Sequence, residues 1–309
     1  MLKPRALRTG DRVAVVAPAS PFQRDEFEAG LAEIRRLGFE PAYDESLFER
    51  RAYLAGSART RAGALRRALA DPSVRAVLSV RGGYGSVQVL PFLDVDEIRT
   101  ARKPIVGYSD LTSLLAFVSC NCGMVSMHGP TVAGRLDRGA DGYDKRSFLG
   151  AVASLDPIGE LTASDLEAVK PGEAGGALYG GNLTQLCASL GTPYAFDPPA
   201  GCILFLEDVN ERPYRLDRLW TQLRLAGILG RATAIVFGTF PGCDEPGDSS
   251  LTGRSVLADL ASEFPGPVLF GLPSGHTAGP ALTLPFGVSA RVVAGPHSVV
   301  AITEAAVTD

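Results

Sequence analysis

Ser109 is the residue best placed in this chain to act as a nucleophile. It lies in Gly107-Tyr108-Ser109-Asp110, between the apolar run Ile105-Val106 and the stretch Leu111 to Val118, whose apolar residues have helical spacing. A buried strand that turns at once into a helix presents the turn residue at the sheet edge. There, the N–H groups opening the helix can receive a tetrahedral oxyanion. Leu111 stands where a G-x-S-x-G elbow has its second glycine, and a serine before a helix also serves as a plain cap.

Such a serine needs a base, and the base needs an acceptor on its second nitrogen. The three histidines are His128 in Met127-His128-Gly129-Pro130, His276 after Pro273-Ser274-Gly275, and His297 after Gly295-Pro296. His276 follows the apolar run Val268-Leu269-Phe270, and a loop at the end of a strand can reach a site at the sheet edge; the alternative is a solvated loop histidine. Glu207 ends the apolar strand Ile203-Leu204-Phe205-Leu206. A carboxylate there is partly buried and needs a partner, either the base or an arginine at 212 or 215. Ser109, Glu207 and His276 each sit at or just past the end of an apolar strand, in the order Ser…Glu…His found in hydrolases with an elbow serine. Arg81-Gly82-Gly83-Tyr84-Gly85 lacks the G-K-[ST] of a phosphate loop and the G-x-G-x-x-G spacing. It is read as a second oxyanion donor, since glycines let the backbone approach a substrate oxygen, or as an ordinary strand-to-helix turn.

These residues require strands to carry them. The spacing predicts strands over 12–17, 76–80 and 104–106, helices over 25–37 and 60–70, and hence a parallel sheet covered by helices on both faces. Its loops at Pro18, Gly82 and Ser109 share the edge where open parallel sheets bind ligands. The stretch 156–176 is rich in Pro, Gly and Glu and reads as a hinge. The expected organisation is an N-terminal nucleophile domain (1–155), a linker (156–176) and a smaller C-terminal α/β domain (177–309) carrying acid and base. That second domain has short strands at 202–206, 234–237 and 268–270, an edge-like pair at 290–293 and 299–302, and a helix over 216–225.

The chain has 309 residues, 46% hydrophobic and 21% charged, with a net charge of −4. Without a dominant basic face, it is not expected to bind nucleic acid or an anionic membrane. The basic start at Lys3, Arg5 and Arg8 is not followed by an apolar signal core, and no run reaches membrane-spanning length. Five cysteines, an odd number, fit a reducing compartment. Cys120-Asn121-Cys122 has no zinc spacing, so neither a metal nor a cofactor is expected, and the cytoplasm is the expected location.

With these residues in hand, the chain resembles the LD-carboxypeptidases (muramoyl-tetrapeptide carboxypeptidases), a serine peptidase family that includes the microcin C immunity proteins. The likeness runs from Tyr53-Leu54-Ala55-Gly56 through Arg81 to Gly85, Gly107 to Asp110 and His128-Gly129-Pro130. It continues through Gly180-Gly181-Asn182-Leu183, Leu206-Glu207-Asp208, Pro213 to Arg218 and Gly275-His276. The resemblance implies Ser109 as nucleophile, His276 as base, Glu207 as its orienting acid, and an oxyanion hole from the N–H groups of Gly83 and Asp110. It implies two α/β domains, a homodimer, and release of the terminal D-alanine from murein tetrapeptides during cytoplasmic cell-wall recycling. Arg81, with Gly82 beside it, is the candidate for the substrate carboxylate; a structural salt bridge is the alternative for Arg81. Two other readings stand beside this one. One is hydrolysis of aminoacyl-nucleotide antibiotics, which an aromatic-rich segment between Ala133 and Tyr179 would favour. The other is a non-catalytic small-ligand binding protein, in which Ser109 only hydrogen-bonds the ligand.

Overall fold

The computed structural model describes residues 1–309. Its first sheet is built from β1 (Arg12–Val16), β2 (Glu40–Ala42), β3 (Val74–Ser79), β4 (Ile105–Gly107) and β5 (Ser126–His128), all parallel. Runs such as Val-Arg-Ala-Val-Leu-Ser in β3 are buried at nearly every position, as strands covered on both faces must be. Helices α1 (Arg24–Arg36), α2 (Ala58–Ala70), α3 (Val95–Ala101), α4 (Thr112–Ala116) and α5 (Lys145–Val152) lie between or after these strands. In α1, Phe27, Leu31 and Ile34 are buried because their spacing puts them on one face.

The second sheet contains β6 (Gly159–Leu161), β7 (Glu167–Lys170), β8 (Gly172–Asn182), β9 (Cys202–Glu207), β10 (Ala232–Phe237) and β11 (Val268–Phe270). β12 (Leu284–Phe286), β13 (Ser289–Ala294) and β14 (Val299–Ile302) follow, and β13 and β14 complete the sheet in the order β6-β14-β13-β8-β9-β10-β11-β7. Helices α6 (Leu183–Ser189), α7 (Pro213–Leu225) and α8 (Gly253–Leu260) belong to this half.

Three expectations need correction. The segment 156–176 is no linker, since it supplies β6, β7 and the start of β8. Its loop-like composition reflects edge strands and half-exposed backbone, where Gly and Glu are tolerated. The pair near 290 and 299 forms no sheet edge either: β13 lies between β8 and β14, and β14 between β13 and β6. Nor does the chain separate cleanly at the expected boundary. β12 returns to the first sheet and pairs antiparallel with β5, Leu284 opposite His128. One continuous core of 44 buried residues includes Val13 and Val106 from the first sheet and Phe205 and Val292 from the second.

Candidate active site

Ser109 follows β4 by two residues and opens a 3₁₀ turn, Ser109–Leu111, that runs into α4. The single helix expected over 111–118 is thus a 3₁₀ turn, a short α-helix and a π-helical turn over 117–121. Ser109 itself has φ +64°. A left-handed backbone costs a non-glycine residue roughly 1–2 kcal/mol, and such strain gathers at functional turns. Gly82 explains how the glycine loop reaches it: a Cβ there would lie 2.8 Å from Ser109 Cβ and 3.1 Å from its Oγ. Gly83 is exposed and its N–H donates to no protein acceptor.

The Asp110 carboxylate fixes this loop. It is buried and accepts hydrogen bonds from the Gly85 N–H (3.2 Å) and the Ser86 N–H (2.7 Å). Burial raises its pKa, opposed by those bonds and by the charge of Arg61. Arg61, buried on α2, donates to the carbonyls of Pro18, Gly56 and Gly85 and to Gln88. It therefore ties together the loops that flank the serine. Arg81 is exposed and takes part in none of the ion pairs, so its structural salt-bridge alternative is not what the structure contains.

Glu207 is the last residue of β9 and is fully buried. Its Oε2 lies 2.7 Å from His276 Nδ1 and accepts the His276 backbone N–H at 2.9 Å. Burial raises the carboxyl pKa, yet the hydrogen bond and charge of His276 outweigh it and hold the group below its ordinary value. An ionised Glu207 places the proton on Nδ1, leaving Nε2 as the acceptor. Gly275 makes this approach possible: its φ is +74° and a Cβ would stand 2.6 Å from Glu207 Cδ. The arginines weighed as partners for Glu207 are engaged elsewhere, Arg212 with Glu245 and Arg215 with Glu211.

His276 packs against Tyr108, ring centroids 5.2 Å apart, which sets its ring beside the serine turn. No hydrogen bond joins its ring to Ser109 Oγ; such contacts tighten when substrate binds. His128 ends β5 among the rings of Tyr108, Phe205 and Phe286, and neither ring nitrogen has a partner. Burial lowers its pKa to about 4. His297 is exposed between β13 and β14.

Two contributors were given no role from the sequence, although Asp208 lies in the Leu206-Glu207-Asp208 motif. Asp208, buried next to Glu207, accepts from the Asn182 side chain, the Thr184 N–H and hydroxyl, and the Val209 N–H. The Asn182 N–H in turn donates to Thr112 Oγ1 at 3.0 Å, joining the second sheet to the helix that follows Ser109. Arg135, in the loop after β5, reaches the His276 loop across 140 residues of sequence. No three His, Cys, Asp or Glu side chains converge as metal ligands would.

Comparison with known proteins gives the class, a serine-type carboxypeptidase. Residues 13–129 match the LD-carboxypeptidase N-terminal domain and residues 175–292 the LD-carboxypeptidase C-terminal domain, and the chain belongs to the LD-carboxypeptidase family. It is 34% identical over 274 residues to the murein tetrapeptide carboxypeptidase of Pseudomonas aeruginosa, covering 86% of this chain and 88% of that one. The probable murein peptide carboxypeptidase of Bacillus subtilis is also 34% identical, over 99% of this chain and 96% of its own. Among solved structures, muramoyltetrapeptide carboxypeptidase from Oxalobacter formigenes superposes with a TM-score of 0.82 at 28% identity, covering 94% of this chain and 97% of that one. The microcin C7 self-immunity protein MccF in complex with aspartyl sulfamoyl adenosine gives 0.89 at 25% identity, covering 100% of each chain.

Proposed function

We propose that this carboxypeptidase removes the terminal D-alanine from murein tetrapeptides, with Ser109 as nucleophile, in the recycling of cell-wall peptides in the cytoplasm. The observation that carries the mechanism is the buried Glu207–His276 bond of 2.7 Å placed beside a serine in a left-handed turn. Ser109 Oγ attacks the carbonyl carbon of the scissile bond as its proton passes to His276 Nε2. The oxyanion is met by the N–H groups of Gly83 and Asp110. His276 then protonates the departing amine of D-alanine, and a water deprotonated by the same ring releases the acyl group. Arg81, exposed beside the glycine loop, is suited to the terminal carboxylate, the one charge that every such substrate presents. The five free cysteines agree with a reducing compartment, and no helix is long and apolar enough to cross a membrane.

The segment 133–179 favours a peptide over a nucleotide. Its aromatics, Tyr143, Phe148 and Tyr179, are all buried and offer no face for a purine. A second reading, cleavage of aminoacyl nucleotides, draws on a different pair: Tyr53 and Tyr84 are exposed, with centroids 5.8 Å apart, and Tyr84 adjoins Gly83. Mass spectrometry of L-Ala-γ-D-Glu-meso-diaminopimelate-D-Ala incubated with the protein and with Ser109→Ala separates the two. D-alanine release by the unmodified chain alone supports the first reading. No release, with Ser109 still labelled by a fluorophosphonate and an aminoacyl sulfamoyl nucleotide cleaved, supports the second. Neither cleavage nor label leaves only ligand binding.

A further inference from the structure

Arg135 is a buried cation without a counter-ion. It is 4% exposed, and no carboxylate pairs with it. Its Nη2 donates to the carbonyls of Gly275 (2.8 Å) and Thr277 (2.9 Å), and its Nη1 to those of Gly279 (3.1 Å) and Gly142 (3.3 Å). Its Nε reaches the Tyr108 hydroxyl at 3.4 Å, and the guanidinium carbon lies 5.6 Å from the centre of the Tyr108 ring.

Burying a charge without an opposite charge is costly, and a stable core would be built more simply from apolar groups. The cost is met here by a planar fork that satisfies four carbonyls at once, an arrangement a lysine cannot reproduce. Three of those carbonyls bracket His276 on both sides. The fifth contact, Tyr108, both adjoins Ser109 and packs on the His276 ring. One side chain therefore holds the loop of the base and the residue that precedes the nucleophile.

We infer that Arg135 is the positioning residue that sets His276 against Ser109. This rests on the proposed roles of Ser109 and His276, though its structural half can be read without any substrate. It acts through backbone carbonyls, so it makes no contact with substrate and affects the chemical step more than binding. A misplacement of about 1 Å at a reacting group costs on the order of 10²-fold in rate.

The test compares Arg135→Ala and Arg135→Lys with Ile98→Ala, a cavity on α3 in a different core cluster from the Val132, Ala133 and Leu136 that adjoin Arg135. Two readouts are taken: kcat and KM on the murein tetrapeptide, and the downfield proton signal of the His276 Nδ1–H bond. The inference expects kcat to fall about 10²-fold in Arg135→Ala, KM to stay within about twofold, and the proton signal to broaden or vanish. Arg135→Lys should recover part of both, and Ile98→Ala should leave both unchanged. An Arg135→Ala protein with its signal and kcat intact overturns the inference, as does equal loss in Ile98→Ala. Should Arg135→Ala not fold, an Arg135→Lys protein with unmodified kcat and signal overturns it equally. If the unmodified chain releases no D-alanine, the substrate reading fails, while the proton signal still decides the role of Arg135.

Discussion

Acid should weaken this fold through His128. The ring is buried among Tyr108, Phe205 and Phe286, and neither nitrogen is hydrogen-bonded. Burial lowers its pKa from 6.5 to about 4, with Glu207 pulling it up and His276 pushing it down. Above pH 6.5 both folded and unfolded chains hold the ring neutral, and this group imposes no pH dependence. Below that, the unfolded chain takes a proton that the folded protein refuses until about pH 4. Stability is therefore lost as pH falls between those values, at about 1.4 kcal/mol for each tenfold in proton concentration once the lag near 6.5 is passed. The loss amounts to about 2 kcal/mol between pH 7 and pH 5, and about 3 kcal/mol by pH 4. Urea unfolding of the unmodified chain and of His128→Leu at pH 7 and pH 5 measures it. The leucine cannot titrate, and any packing cost it brings cancels between the two pH values. The buried carboxyls of Asp110 and Asp208, raised by burial, are common to both proteins and cancel in the same way. Equal pH dependence in the two proteins would refute the argument.

Other substitutions probe the serine turn and its partners. Ser109→Ala should abolish D-alanine release, and calorimetry should find stability within about 0.5 kcal/mol, because alanine keeps the left-handed backbone. Ser109→Gly should be as inactive but about 1 kcal/mol more stable; an unchanged or lower melting temperature would remove the argument for strain. Glu207→Gln should lower kcat by about 10⁴, measured under saturating tetrapeptide, whereas a negligible effect would leave the carboxylate a merely structural role. Gly275→Ala puts a Cβ 2.6 Å from Glu207 Cδ in a backbone of φ +74°, so both kcat and melting temperature should fall. Retention of both would show that the His276 loop yields without consequence.

Much of the candidate site was legible in the sequence, because its parts rest on local signals. β1, β3, β9 and β10 are apolar runs long enough to be read directly, and the residues that end or follow strands point to Ser109, Glu207 and His276. Their pairing was less legible, since Glu207 had two arginines within eight residues and only the fold shows both engaged by other carboxylates. Strands β6, β7 and the start of β8 were hidden because edge and half-exposed positions permit the Gly, Pro and Glu of a loop. β12 has three residues, Leu-Pro-Phe, too few for any periodicity. Arg135 was invisible for another reason: its ligands are backbone carbonyls, and every residue type supplies the same carbonyl.

The return of β12 to the first sheet gives the molecule an order of assembly. Chains emerge from the ribosome N-terminus first, so the serine turn is made long before Glu207, His276 or the strand that covers the edge of β5. Until residues 284–286 appear, that edge offers unpaired backbone to any neighbouring strand, and until His276 appears Ser109 lacks its proposed base. On the proposed roles, the nascent protein is unreactive and physically adhesive at the same time. A chain cut short before His276 would then burden the cell as an aggregation seed rather than as a stray hydrolase.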